Sequence, residues 1–126
     1  MGKVRIRFRD GPEIVVSLRQ EMTPTVEALM AVLPFSSRAQ TWGDEVYFEA
    51  PFHTDIEHDA RAEMQVGDVA FWPDGDAIAI FYGPTPASKG SSPVAYSPCN
   101  IIGKVEGDPK VLRPVRQGTA LDVLGV

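Results

Sequence analysis

An alternation of period two near the N-terminus constrains the fold most. In Lys3-Val-Arg-Ile-Arg-Phe-Arg9, Val4, Ile6 and Phe8 fall on one side of an extended chain, and four basic residues fall on the other. A strand separates the two sets onto opposite faces, whereas a helix would mix them. Asp10-Gly11, a dipeptide suited to tight reversals, comes next. Glu13–Leu18 then repeats the alternation, with Ile14, Val16 and Leu18 in phase. The stretch reads as a hairpin with one apolar face to bury and a solvated basic face. A lone hairpin is marginal in water, so the rest of the chain must supply more sheet.

It supplies runs of the same kind. Val66–Trp72 and Ala77–Gly83 flank Pro73-Asp74-Gly75-Asp76, and Phe35–Trp42 and Glu45–Glu49 flank Gly43-Asp44. Asn100–Val105 and Thr119–Val126 complete a set of eight expected strands. Eleven glycines and eleven prolines punctuate these runs without a repeat period, as turns between short strands require. One helix is expected. Thr23 suits its cap and Pro24 its first position; Val26, Leu29, Met30 and Leu33 form one apolar stripe, and Pro34 stops it. Met30 is therefore expected in the core. Pro51–Glu63 and Pro84–Pro98 read as long loops, and Gly107–Arg113 as a turn or short helix. The expectation is one domain over residues 1–126: mainly β, a closed eight-stranded antiparallel barrel with one capping helix. Closure would remove exposed sheet edges. A two-sheet sandwich is the alternative.

The formal net charge of −5 excludes a nucleic-acid binder, which needs basic surface to displace counterions, and a binder of anionic membranes. No apolar run approaches the roughly 20 residues that span a bilayer, and no signal peptide is expected. A single cysteine, Cys99, excludes an internal disulfide and fits a reducing compartment, so the cytoplasm is the expected location.

Candidate chemistry is sparse. The loop containing His53, Asp55, Glu57, His58 and Asp59 carries ligand-type side chains, but without metal-motif spacing; it reads as a solvated acidic loop, and no metal or cofactor is expected. Cys99 has no neighbour that would lower its pKa and reads as a buried, inert thiol. Gly90-Ser91-Ser92-Pro93 lacks the strand–turn–helix setting of a nucleophilic serine. The aromatic residues are more informative. Tyr47/Phe48, Phe71/Trp72 and Phe81/Tyr82 are strand neighbours, so each pair sends one ring inward and one outward. Outward rings either pack under a loop or floor a surface groove.

Three blocks carry a family resemblance: "TWGDEVYFEAP" (Thr41–Pro51), "GDVAFWPDGDAIAIFYGPTP" (Gly67–Pro86) and "SPCNIIGKV" (Ser97–Val105). With the helix ending in "PF", they resemble in order the signature blocks of small prokaryotic cyclophilin-like-fold proteins. That resemblance implies the closed eight-stranded barrel. Cyclophilins proper isomerise X–Pro bonds, using a strand arginine to polarise the prolyl amide beside an aromatic pocket. If Phe35 stands at the phenylalanine of their "FHR" motif, Ser37 takes the arginine's place and Arg38 comes one position late. A one-residue offset puts a strand side chain on the opposite face unless a bulge intervenes. Gln40 and Trp42 stand near the motif's glutamine and apolar wall, with Phe81 or Tyr82 as pocket ring.

The expected function is binding of a peptide or small molecule in an outer-face groove, by a monomer or homodimer. Trp42, Trp72, Phe81 and Tyr82 would supply apolar contact, and Arg38 and Gln40 would orient polar groups. The alternative is a weak peptidyl-prolyl isomerase with Arg38 as the catalytic electrophile.

Overall fold

The N-terminal alternation folds as its pattern dictates. β1 (Lys3–Phe8) pairs antiparallel with β2 (Glu13–Leu18), placing Ile6 opposite Ile14 and Val4 opposite Val16. All four residues are buried. Three of the four basic residues pair with acids across the strands: Arg5 and Arg7 lie 3.5 and 3.9 Å from Glu13, and Lys3 lies 2.8 Å from Glu106. The computed structural model describes residues 2–126.

The remaining elements are α1 (Pro24–Val32), β3 (Phe35–Arg38), β4 (Gln40–Thr41), β5 (Glu45–Glu49), β6 (Arg61–Glu63), β7 (Asp68–Trp72), β8 (Ala77–Phe81), β9 (Val94–Val105) and β10 (Ala120–Gly125). The Thr23 hydroxyl caps α1 by accepting from the Val26 amide at 3.2 Å, and the helix stops two residues before Pro34. It buries Thr25, Val26 and Leu29. Met30 is 40% exposed, not core, because a nine-residue helix presses only a narrow stripe onto the sheet.

The strands form one antiparallel sheet in the order β3-β10-β1-β2-β9-β7-β8-β5-β4, with β6 paired to β9 off this path. Among the described residues there are ten strands where the sequence suggested eight, and the ladder is a path with two ends in place of the expected closed barrel. Two causes account for the count. Ala39 divides the expected strand Phe35–Trp42, so that its first part pairs with β10 and its second with β5. The strand β6 was concealed in a polar segment. β9 also starts well before Asn100, so the last third of the expected loop Pro84–Pro98 is sheet.

One sheet face packs the main core, including Phe48, Phe71, Ile80, Ile102 and Tyr82. Each fully buried ring or branched chain there is worth about 1.5–3 kcal/mol. A smaller apolar cluster, with Met64, Ala70, Ala79, Phe81, Ala95 and Cys99, covers the opposite face of β7, β8 and β9.

Two of the signature blocks interlock beside this second cluster. The Asp44 amide donates to the Pro84 carbonyl and the Tyr82 amide to the Asp44 carbonyl, both at 2.9 Å. Gly43, in the left-handed region at φ +60°, lets the Pro84–Pro86 segment lie on the turn. A side chain there would stand 2.8 Å from Pro86 Cδ and 2.9 Å from Thr85 Cα. The abrupt Gly83-Pro84-Thr85-Pro86 break after β8 thus fastens the chain to the β4–β5 turn before it crosses the outer wall.

Candidate functional site: an aromatic recess over a buried carboxyl

The outer face of β5, β7 and β9 carries a recess of about 230 Å3, lined by Trp42, Glu45, Tyr47, Trp72, Ala95, Tyr96 and Cys99. Alternation places three of these residues. On β5, Val46 and Phe48 enter the main core, so Glu45 and Tyr47 face outward. On β7, Phe71 enters the core and Trp72 faces outward. Trp42 comes from the β4–β5 turn, where its amide donates to the Glu45 carbonyl at 3.0 Å.

The remaining wall comes from a register slip in β9. Arg61 of β6 sits opposite Cys99, and in unbroken register Glu63 would sit opposite Ser97; it sits opposite Val94. The surplus backbone is extruded, as in a bulge, and carries Tyr96 out over the recess. The Tyr96 ring is 76% exposed and stands edge-on to both tryptophans, with centroids 6.0 Å away at 72° to Trp42 and 79° to Trp72.

Trp72 is held on three sides. Its indole Nε1 donates to Ser97 Oγ at 2.6 Å, and Ser97 Oγ lies 3.3 Å from Asp74 Oδ2. Its ring lies against Gly75, where a methyl group would stand 2.6 Å from Trp72 Cε3. Gly75 is therefore required for space, while the left-handed position of that turn is taken by Asp76 (φ 50°).

At the base of the recess lies Glu45, 8% exposed, with Oε1 buried and without a hydrogen-bond partner. Burial of the carboxyl away from any cation pushes its pKa up to about 7. Beside it the Cys99 thiol is pushed up to about 12, first by burial and then by the charges of Glu45 and Asp74; its Sγ donates to the Ser97 carbonyl. Cys99 is thus no nucleophile at neutral pH. Glu45 stands near the midpoint of its titration there, able to accept or donate a hydrogen bond.

Five of the seven residues that line this recess belong to the three blocks that carried the sequence resemblance, and Ala95 and Tyr96 lie just before the third. The cyclophilin-like family model matches residues 2–124. The chain belongs to the cyclophilin-like family. This cyclophilin-like protein is also similar to the solution structure of the hypothetical protein AF2241 from Archaeoglobus fulgidus, with 35% identity over 99% of this chain and 95% of that one, and a TM-score of 0.85. No curated protein matches it.

The six residues singled out from the sequence separate in the cyclophilin-like structure. Trp42 and Trp72 line the recess. Arg38 and Gln40 line a different, wide and polar groove of about 850 Å3, together with Arg7, Arg9, Ser37 and Gln117. There the Arg38 guanidinium donates to the Gly118 carbonyl at 3.0 Å. Phe81 and Tyr82 are buried and line neither depression: Phe81 is covered in the outer cluster, and Tyr82 belongs to the main core. The alternation correctly sends one ring of the pair to each face. The outer ring is simply roofed by Met64 and Ala95.

Sequence reasoning missed Glu45, placed at the start of a strand with no role, and Tyr96, read as part of a loop. The signal for Glu45 was its phase: two positions from Tyr47, it shares that ring's outward face. The acidic loop spends its ligand-type side chains elsewhere. His53 Nδ1 pairs with Asp76 at 2.6 Å, Asp59 with Arg19 at 2.8 Å, and Glu57 accepts from the Thr25 hydroxyl at 2.6 Å. Asn100 completes that polar knot, donating to the Asp55 carbonyl and accepting from the Glu57 amide. Among the described residues no helix is long and apolar enough to cross a membrane.

Proposed function

We propose that this cyclophilin-like protein is a binding module that holds a small molecule, or one side chain of a peptide, in the outer-face recess. One observation carries the reading: four aromatic rings border a hollow whose base is a carboxyl group with an unpaired buried oxygen. Such a mostly apolar concavity with one placed polar group is the usual form of a small-ligand site. An unpaired buried carboxyl oxygen costs stability, and a ligand donor would relieve that cost. This reading takes the wall as closed. In support, β3 and β4 are one chain segment divided only by Ala39, and the Ser37 hydroxyl donates across to the Glu49 carbonyl at 2.7 Å.

The test is an amide and indole NMR titration against a library of small fragments. Binders should move the indole signals of Trp42 and Trp72 and the amides of Ala95 and Tyr96. Shifts confined to Ser36–Gln40 and Gln117–Asp122 would transfer the function to the polar groove. The alternative, prolyl isomerisation by Arg38, has a polar groove around that guanidinium in place of an aromatic pocket. A protease-coupled assay on an Ala-Pro peptide decides it: activity lost in Arg38→Ala would establish that alternative.

A further inference from the structure

The recess has a chemical sign. Its lining holds one carboxyl group and no lysine, arginine or histidine. The charged and titratable groups around Glu45 all fail to supply a counter-ion. Tyr47 on β5 and Tyr96 on β9 bring no cation, Cys99 on β9 is held as the thiol, and Asp74 on the β7–β8 turn and Asp44 on the β4–β5 turn are acids. On β8, Glu45 faces Phe81 in the ladder. The nearest cation along the β9 edge, Arg61, lies opposite Cys99 but turns its guanidinium to Asp68 Oδ2 (3.4 Å) and the Glu63 carbonyl (3.0 Å). Ring faces and edges of two tryptophans and two tyrosines enclose the space above the carboxyl. Aromatic faces attract cations through their quadrupole, most strongly for tryptophan, and an array of them favours a weakly hydrated alkylammonium over a small hydrated ion.

We infer that the recess selects an organic cation, an alkylated ammonium group held by Trp42, Tyr47, Trp72 and Tyr96 and paired with the Glu45 carboxylate. This rests on the recess being the binding site and adds the charge and shape of what enters it. An acidic protein, with a net charge of −5, also draws such a ligand by its long-range field. Binding couples to a proton. A cation favours ionised Glu45, so below pH about 7 the carboxyl must release its proton to solvent as the ligand enters. Affinity then rises with pH up to that value and levels off above it, at most tenfold per unit. The ammonium group has two possible sources, a free small amine or the methylated lysine of a peptide.

The chain contains only two tryptophans, Trp42 and Trp72, and both line the recess, so intrinsic fluorescence reports occupancy directly. The probes are choline, its uncharged carbon isostere 3,3-dimethylbutan-1-ol, and a short peptide bearing trimethyl-lysine. Choline or the peptide should bind at least tenfold more tightly than the isostere. That advantage should disappear in Glu45→Gln, which should keep the parent's circular dichroism. Tighter binding of choline than of the peptide identifies a free amine, and the reverse a modified side chain. Equal affinity for choline and the isostere overturns the charge selectivity while leaving the recess a binding site. A response to no cation, with neutral fragments moving the indole signals in the NMR titration, also overturns it. Silence of the indoles to every fragment removes the binding site itself.

Discussion

Two depressions mark the wall of this protein, and they differ in how their polar groups are satisfied. In the wide groove, Arg38 is exposed and already donates to the Gly118 carbonyl, and Ser36 donates to Asp122 at 2.6 Å. The other polar side chains that line it are exposed or half-exposed, within reach of water. In the aromatic recess, a carboxyl oxygen is sealed from water with no partner, and a thiol beside it is held fully protonated. The recess carries unspent free energy and the groove does not. Size is a poor guide to function: the groove is the larger of the two, but water there serves its polar groups as well as a ligand would.

Four measurements would break or sharpen that contrast. The largest effect belongs to Cys99. Raising a thiol from the ordinary 9 to about 12 lowers its thiolate fraction near pH 8 by about 1000-fold. Its reaction with a disulfide reagent should be slower by about 100-fold or more in the folded protein than in denaturant, because the greater nucleophilicity of a high-pKa thiolate offsets part of that factor and burial of the sulfur adds to it. Labelling at comparable rates would mean that the floor of the recess is open.

Next comes Glu45→Gln, read by denaturation across pH. The unfolded chain releases the Glu45 proton near 4.5, whereas the fold retains it to about 7. Between these values the folded state binds more protons, so this group costs the parent stability as pH rises through the interval and adds no further cost above it. The stability advantage of the variant over the parent should therefore grow by about 3 kcal/mol from about pH 4.5 to about pH 8. A constant difference would show that Glu45 finds a partner in solution.

Gly75→Ala should cost about 1–3 kcal/mol, because the new methyl group meets the Trp72 ring and the ring cannot yield without leaving Ser97. Tryptophan emission should shift to the red as the indole is displaced. Unchanged emission would mean that the ring has another seat. The smallest effect is expected for Arg38→Ala, within about 0.5 kcal/mol at any pH, as for other exposed positions. A cost comparable to that at Glu45 would erase the distinction between the two depressions.

The sequence disclosed the fold where side-chain phase alone decides it. Val4, Ile6, Phe8 and the rings of Tyr47/Phe48 and Phe71/Trp72 all lie where a period of two puts them, and Thr23 caps the helix it was expected to cap. It concealed what depends on contacts between distant segments. Arg61-Ala62-Glu63 is too short and polar to signal a strand, and pairs only because β9 offers an edge. Pro98 and the extruded Tyr96 hide the first half of β9. The recess was legible in its two tryptophans, whose outward phase needs no partner to be read. Tyr96 depends on the slip, and the cover over Phe81 on Met64 and Ala95, all of which the fold brings from elsewhere.

The extruded length of β9 separates ancestry from occupation. A deletion there would remove residues from the stretch that carries Ala95, Tyr96 and Ser97, and with them the wall of the hollow, the roof over Phe81 or the seat of Trp72. Descendants of one architecture can thus gain or lose this chamber in a single genetic event, so shared shape among such chains does not oblige them to share a guest.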